Sequence, residues 1–278
     1  PSNTFGANPL KTENYAEHIA GAICNVKKAI ELFEGDKSKC FTALDIGPTG
    51  RMLEPLGDLG FEEAVEAFRL VAAEGEKNGA DLIIIETMND SYETKAAVLA
   101  AKEVRCECKK DDLPILVTNV YDEQCHLLTG ANPETMVAML EGLGVDAIGL
   151  NCSLGPKQMK NVVPRLVAAA SVPVIVNPNA GLPRVVDGKT VYDVNATEFA
   201  SYMKEIVEIG ACVVGGCCGT TGVRNSADTG TSYVGKVASG VFSADGTSMM
   251  FKWDYNGTVS ITETRTTVYS EPFLKPLS

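Results

Sequence analysis

Three cysteines that are far apart in the sequence have the residue type and the placement of a metal site. Cys152 follows one short apolar run, and the adjacent Cys217 and Cys218 follow another. Both runs are typical of β-strands, and the carboxyl ends of parallel strands meet at the same edge of a sheet. Three thiolates with a fourth position left open are typical of a catalytic zinc site. The alternative is that these cysteines are small residues of the core.

Further polar residues stand at the same place in the pattern, at the end of an apolar run or directly after it. Barrel enzymes build their active sites from side chains at this edge, so we expect these residues to face one common rim. They are Asp45, Glu86, Thr87, Asn119, Asn151, Asn177 and Asn179.

Six apolar, β-branched runs alternate with longer amphipathic stretches, and this alternation predicts the fold. The predicted strands are Phe41–Ile46, Asp81–Glu86, Ile115–Val120, Ala147–Leu150, Val174–Val176 and Cys212–Val214. The predicted helices are Phe61–Asn78, Ser91–Cys106, Pro133–Leu143, Pro156–Ala170 and Ala196–Ile209. Connections of this length require parallel strands, and their repetition predicts an α/β fold of the (β/α)8 TIM-barrel type.

The composition changes after about residue 221, where Ser, Thr, Gly and aromatic residues replace the helical patterns. Met249–Tyr255 and Thr258–Arg265 flank an Asn-Gly pair, which is a strong hairpin signal. We therefore predict two regions, a barrel domain over residues 1–221 and a β-rich tail or hairpin extension over residues 222–278.

Composition and charge restrict the class of protein. The formal net charge of -12 repels phosphates, so we expect no nucleic-acid partner. No apolar run reaches the length of about 20 residues that spans a bilayer, and no signal-peptide pattern opens the chain, so we expect no membrane association. Nine cysteines without a small-domain spacing indicate reduced thiols or metal ligands. These features together predict a cytoplasmic protein.

Six motifs occur in a fixed order along residues 1–221. They are NTFGAN (residues 3–8), DIGPTGRMLEPLG (45–57), IIETM (84–88), GLNCSLGP (149–156), VNPNAGLP (176–183) and GGCCGTT (215–221). This set resembles the homocysteine S-methyltransferase family, and it is most similar to the homocysteine-binding domain of cobalamin-dependent methionine synthases.

The resemblance implies an enzyme that transfers a methyl group to the thiol of homocysteine and gives methionine. It implies a zinc ion held by Cys152, Cys217 and Cys218, with the substrate sulfur at the open position. The methyl donor would be methylcobalamin on another corrinoid-binding domain or protein, because the sequence lacks an Asp-x-His-x-x-Gly corrinoid motif. One alternative is a donor such as S-methylmethionine or a betaine-like compound. Another is a zinc-binding remnant or interaction module without turnover.

Four residues are predicted to bind the substrate. Glu86 is expected to bind the α-amino group of homocysteine, because a carboxylate at the end of an apolar strand needs a cationic partner. Thr87 adjoins it, and Asn151 and Asn177 are expected to fix loops or to orient the ligands without contacting the metal themselves. Asp45 is expected to shape the rim of the pocket. The alternatives are a solvated carboxylate for Glu86 and ordinary turn roles for Asn151 and Asp45.

The sequence departs from the family pattern at both ends. The family barrel opens with a strand and an Asp-Gly-(Ala/Gly)-Met-Gly-Thr turn that holds the homocysteine carboxylate, and this sequence lacks that first βα unit. An incomplete barrel would expose two sheet edges, which favours aggregation. We therefore expect either that the tail covers an edge or that the chain is a fragment of a longer protein.

Overall fold

The fold is a parallel sheet with helices on its outer face. The structure, a computed structural model, describes residues 7–33, 37–187, 189–220, 237–243 and 249–253. Six strands pair in parallel in the order of the sequence. They are β1 (Ala43–Ile46), β2 (Leu82–Met88), β3 (Ile115–Asn119), β4 (Ala147–Asn151), β5 (Val174–Asn177) and β8 (Val213–Gly216). All six predicted strands are thereby confirmed.

One helix precedes β1, and the other described helices lie between the parallel strands. The helices are α1 (Tyr15–Leu32), α2 (Phe61–Lys77), α3 (Ser91–Glu107), α4 (Pro133–Gly142), α5 (Pro156–Met159), α6 (Val163–Ala169) and α7 (Ala196–Ile209), with a short 3-10 turn at Lys37–Lys39. Two of them have well-formed starts: the Asp90 carboxylate accepts from Tyr92 N before α3, and the Asn132 amide oxygen accepts from Thr135 N before α4. None of the described helices combines the length and apolar character that crossing a membrane requires.

Besides α1, which the sequence pattern did not predict, two segments between β4 and α7 differ from the predicted pattern. The single helix predicted over Pro156–Ala170 is divided into α5 and α6, with Pro164 in the first turn of α6, where its missing N–H costs nothing. Between β5 and α7 the chain forms an antiparallel pair, β6 (Arg184–Val186) and β7 (Lys189–Val191), that the sequence pattern did not predict.

The sheet continues beyond the parallel strands into residues of the tail. Strand β9 (Val237–Ser243) pairs antiparallel with β8, and β10 (Met249–Trp253) pairs antiparallel with β9. Within the described ranges, β1 and β10 are the two edges of this eight-stranded sheet. The predicted hairpin over Met249–Arg265 lies mostly outside the described residues, and the division of the chain at residue 221 stays a prediction.

Side chains alternate between two faces of the sheet. The outer face packs against the helices and carries the main core, including Ile83, Ile85, Val117 and Val176. The inner face, which corresponds to the inside of a barrel, carries a separate apolar cluster of Leu82, Ile84, Leu116, Ala147, Ile175 and Val213. Because side chains alternate along a strand, the polar residues two positions beyond these apolar ones also face inward.

A buried carboxylate anchors the loop that follows β1. Glu93, in the first turn of α3, accepts hydrogen bonds from Thr49 N at 2.8 Å and from Thr49 Oγ1 at 2.6 Å. Burial raises the pKa of Glu93, while the two hydrogen bonds from Thr49 partly oppose that rise. This contact ties the DIGPTG turn, and with it the end of β1, to the neighbouring βα unit.

The raised pKa of Glu93 predicts a specific pH dependence of stability. Its contribution is fully present below the unfolded-state pKa of 4.5 and is lost as the pH rises through the higher folded-state pKa. Glu93→Gln removes this titration but keeps an oxygen that accepts from Thr49 N. We therefore expect the difference in melting temperature, variant minus wild type, to increase as the pH is raised from acidic to neutral. A difference that stays constant across that pH range would contradict the assignment of a raised pKa to Glu93.

Candidate metal and substrate site

Cys152 lies in a sharp turn at the carboxyl end of β4. Its backbone has a φ of 58°, and the next residue, Ser153, has a φ of 59°. Such left-handed conformations are uncommon for residues other than glycine and concentrate at functional sites. The turn is secured by Cys152 N, which donates to Asn177 O at 3.1 Å, and by Leu154 N, which donates to Cys152 O at 2.6 Å. The backbone therefore holds the thiol at the rim.

Cys217 and Cys218 follow β8 in a second turn that hydrogen bonds tie to the end of β5. Cys217 N donates to Pro178 O at 2.7 Å, and Cys218 N donates to the side-chain oxygen of Asn179 at 3.0 Å. Thr220 Oγ1 donates to Cys217 O at 2.6 Å and closes the turn. The vicinal pair is thus positioned by backbone contacts, independently of any metal.

The three thiols converge. The sulfur atoms of Cys152, Cys217 and Cys218 all lie within 4.8 Å of one another, and the distance between Cys152 Sγ and Cys218 Sγ is 3.8 Å. All nine cysteines are free, so no disulfide occupies these sulfurs. Cys217 is buried, Cys152 is half-buried and Cys218 is exposed. One side of the cluster is therefore enclosed by protein, and the other side is accessible to a ligand.

The thiols influence one another electrostatically. The pKa of Cys217 is raised far above the ordinary value of a thiol, first by hydrogen bonding to Cys152 and Cys218 and then by burial. The negative charge of Glu86 raises that pKa further. This effect places the Glu86 carboxylate within electrostatic range of the cluster. Three crowded thiols of this kind favour the protonated form unless a cation is present to stabilise their thiolates.

Asn151 connects the predicted substrate residues to the cysteines. Its side-chain nitrogen donates to Thr87 Oγ1 at 2.7 Å and contacts Cys217 Sγ at 3.8 Å. Its side-chain oxygen accepts from Thr87 N and from Thr118 Oγ1, both at 2.8 Å. These contacts hold Thr87 at a φ of 62°, an unusual conformation for a β-branched residue. The register of β2 against β3 shifts at this point, so Thr87 and Glu86 lie at an irregularity in the strand.

Glu86 and Asp45 lie on the inner face of neighbouring strands and are both buried. Asp45 is in register with Ile84, two residues before Glu86, and is therefore about 7 Å deeper along the strand direction. The structure brings Glu86, Thr87 and Asn151 together with the cysteines, whereas Asp45 lies one layer below them.

Asn119 does not face the predicted rim. Its side-chain nitrogen donates to Met88 O at 3.2 Å and to Thr94 Oγ1 at 3.1 Å, on the outer face between β2 and α3. The expectation of a rim position was wrong because Asn119 is one residue beyond Thr118, and adjacent residues of a strand point to opposite faces. Alternation from the inner Leu116 would have revealed this from the sequence.

Tyr192, directly after β7, is a site residue that the sequence pattern did not identify. Burial and the neighbouring Cys218 raise its pKa to about 12. Its ring packs over Gly219, where an added Cβ would lie 2.2 Å from the ring and where φ is 78°. Tyr192 arrives through the β6–β7 pair, and no local sequence signal indicates that this pair folds over the cysteine turn.

Comparison with proteins of known structure agrees with the fold. The homocysteine methyltransferase MmuM from Escherichia coli, in its metallated form, superposes with a TM-score of 0.61 over 80% of this chain and 72% of that chain, at 22% sequence identity. Its oxidized form gives a TM-score of 0.62 over 78% and 74% of the two chains, at 21% identity. The α/β fold of TIM-barrel type is thereby confirmed.

Sequence comparison identifies the family. The chain is 33% identical to the methionine synthase of Mycobacterium leprae and 32% identical to that of Mycobacterium tuberculosis, over 228 residues in each case. The match covers 79% of this chain but only 19% of either relative, so the chain spans about a fifth of their length. Residues 1–223 match the family described as homocysteine S-methyltransferase. The chain therefore belongs to the homocysteine S-methyltransferase family.

Proposed function

We propose that the chain binds zinc and transfers a methyl group to the thiol of homocysteine, giving methionine. The donor in this proposal is methylcobalamin carried by another domain or protein. The observation that carries the proposal is the convergence of the three sulfurs within 4.8 Å at the rim of a family barrel.

The cysteine geometry fits zinc. Tetrahedral zinc with Zn–S bonds of about 2.3 Å requires sulfur atoms about 3.8 Å apart. The distance between Cys152 Sγ and Cys218 Sγ is 3.8 Å, and the third sulfur, that of Cys217, lies close to both. Three soft sulfur ligands without a histidine also favour zinc over the hard cations Mg²⁺ and Ca²⁺. Three protein ligands leave the fourth position for a substrate sulfur.

Bound zinc would lower the pKa of a coordinated thiol and so supply a thiolate at neutral pH. The protein contributes orientation. Cys217 anchors the buried side of the site, whereas the exposed Cys218 and half-buried Cys152 leave the solvent side accessible to homocysteine. Glu86 is placed to accept hydrogen bonds from the α-ammonium group of the substrate. Asn151 holds Thr87, the residue next to Glu86, through two hydrogen bonds and also contacts Cys217 Sγ.

The role of Asp45 in this proposal is to set the floor of the pocket. It is buried on the inner face one layer below Glu86. A second carboxylate at that depth adds negative potential beneath the ammonium group and disfavours an inverted substrate with its carboxylate directed inward.

Exposed apolar residues on the rim support a donor carried by a separate domain. Leu56, in the loop after β1, and Leu128, in the loop after β3, are each 70% exposed, and Val185 in β6 is 77% exposed. These residues belong to three different connections at the carboxyl edge of the sheet. Contact with a second domain at this edge would remove these apolar side chains from water. The methionine synthase relatives are about five times longer than the matched region, which leaves room for such a domain.

Reduced cysteines support a cytoplasmic location. Nine cysteines without the spacing of a small disulfide-bonded domain are typical of reduced thiols or metal ligands, and thiols stay reduced in the cytoplasm. The net charge of -12 likewise supports a small-molecule substrate over nucleic acid.

X-ray absorption at the zinc edge, with and without homocysteine, tests the proposal. We expect three sulfur ligands in the zinc-loaded chain and a fourth when homocysteine is added. Zinc without a homocysteine-dependent change would instead indicate a zinc-binding module without substrate capture. If homocysteine binds, a panel of methylcobalamin, S-methylmethionine and a betaine then identifies the donor.

A further inference from the structure

Asn177, the last residue of β5, has a buried amide that is not satisfied by the protein. It is 1% exposed, and neither its side-chain nitrogen nor its side-chain oxygen has a hydrogen-bond partner among the residues that the structure describes. A buried amide left without partners destabilises the folded state, because it has given up its hydrogen bonds to water. Such a group in a native site therefore points to a partner that arrives with a ligand.

The position of Asn177 places this amide in the proposed pocket. It lies two residues after Ile175 of the inner cluster and pairs in register with Asn151 of β4. Asn151 directs its side chain inward, where it contacts Cys217 Sγ. Paired residues of adjacent strands project to the same face, so Asn177 also faces inward beside Asn151. Continuing the β5–β8 register places Gly215, which has no side chain, on its other flank.

The donors and acceptors of the inner face define what this amide can bind. The buried charged residues on that face, Asp45 and Glu86, are both acidic, and no Lys or Arg is among the buried residues of the described chain. The Asn151 nitrogen is already directed to Thr87 and Cys217, and the Thr118 hydroxyl donates to Asn151. The Asn177 nitrogen is therefore a buried side-chain donor of this face that has no partner among the described residues and can bind a ligand carboxylate.

We propose that the Asn177 amide nitrogen binds the α-carboxylate of the thiol-containing amino acid, an inference that rests on the proposed function. A ligand with its sulfur at the cysteines and its ammonium group at Glu86 then has its carboxylate held from β5. The amide oxygen of Asn177 accepts from the ammonium group of the same ligand. A metal ion could satisfy only the oxygen, whereas an α-amino acid satisfies both atoms of the amide. Asn177 thereby selects for α-amino acids over simple alkyl thiols.

Two alanine variants of the full-length chain separate this role from a structural one. Asn177→Ala removes an amide without protein partners, whereas Asn119→Ala removes one that donates to Met88 O and Thr94 Oγ1. We expect the metal-free melting temperature to fall less for Asn177→Ala than for Asn119→Ala. A larger fall for Asn177→Ala would indicate that this amide supports the fold and would overturn the assignment.

Ligand binding by the zinc-loaded proteins tests the carboxylate contact directly. By calorimetry, Asn177→Ala is expected to raise the Kd for homocysteine roughly 10- to 100-fold, the range for a lost hydrogen bond to a charged group. The Kd for 3-aminopropane-1-thiol, which keeps the ammonium group but lacks the carboxylate, is expected to rise less, by about fivefold at most, because only the contact with the amide oxygen is lost. If the alanine variant does not fold, Asn177→Asp tests the contact at similar size. Its carboxylate attracts the ammonium group of both ligands but repels the carboxylate of homocysteine alone, so homocysteine should lose affinity relative to 3-aminopropane-1-thiol.

The outcomes distinguish the inference from the function on which it rests. Unchanged homocysteine affinity in the Asn177 variant, or equal weakening of both ligands, overturns the role of Asn177 and leaves the proposed function intact. Failure of wild-type zinc-loaded protein to bind homocysteine overturns the proposed function and this inference with it.

Discussion

Replacing Cys217 with alanine is expected to abolish zinc binding by this chain. Cys217 provides the buried sulfur of the cluster, and this sulfur contacts the side-chain nitrogen of Asn151. The exposed Cys218 and the half-buried Cys152 would remain. Two thiolates supply only two of the four ligands of a tetrahedral zinc ion. We expect the purified variant to contain almost no zinc after dialysis against a chelator that leaves wild-type protein loaded. Elemental analysis of the dialysed proteins measures this.

Cys125 offers a matched control for that experiment. It is as buried as Cys217, at 7% exposure, but lies in the loop after β3 and outside the cluster. The Cys125→Ala variant should therefore retain zinc, although it also loses one buried sulfur atom. Zinc retained by Cys217→Ala would exclude the cysteine cluster as the metal site. Zinc lost equally from both variants would indicate unfolding rather than loss of a ligand, which circular dichroism would reveal.

Glu86→Gln is expected to weaken homocysteine binding roughly 100-fold while leaving the zinc content unchanged, the magnitude for loss of a charge-assisted hydrogen bond in a buried site. Glutamine keeps the size of the side chain and an acceptor oxygen but loses the negative charge that attracts an ammonium group. Glu86 is only 5% exposed, so water screens its charge weakly. Calorimetric titration of the zinc-loaded proteins with homocysteine measures the effect.

A substrate analogue identifies which group Glu86 binds. 4-Mercaptobutyrate carries the thiol and carboxylate of homocysteine but no amine, so its affinity should not fall in Glu86→Gln. It should bind the variant at least as well as wild type, because a like charge has been removed. Equal loss of affinity for both ligands would show that Glu86 acts by shaping the pocket and would assign the ammonium group to another residue.

Much of the barrel was predictable because local patterns and global fold agree along it. Runs such as Ile83–Ile85 are apolar on both faces, as a strand buried between helices and a barrel interior must be. The predicted helices Ser91–Cys106 and Pro133–Leu143 begin at the same residues as α3 and α4, directly after the caps Asp90 and Asn132. The helix α1 was not among the predicted elements, and it buries only Ile19 and Ile23 of its 18 residues.

The site was predictable to the level of residue types at strand ends but not to the level of contacts. Cys152 and the vicinal pair could be grouped because parallel strands share one edge. The left-handed backbone of Thr87 could not be anticipated, since a β-branched residue is a poor candidate for that conformation and depends on Asn151 from two strands away. Tyr192 reaches Cys218 through a hairpin whose orientation depends on tertiary packing alone.

Because the inner apolar cluster is separate from the main core, the ligand preference of this fold can change without a change in the main core. The polar layer that faces the ligand rests on Ile84, Leu116 and Ile175, whereas the helices pack on the opposite face of the same strands. A new side chain in the polar layer therefore changes ligand preference without altering the helix–sheet interface that supplies most of the stability. Natural variation or directed evolution can therefore change the thiol acceptor by substitutions at single strand ends while the fold stays the same.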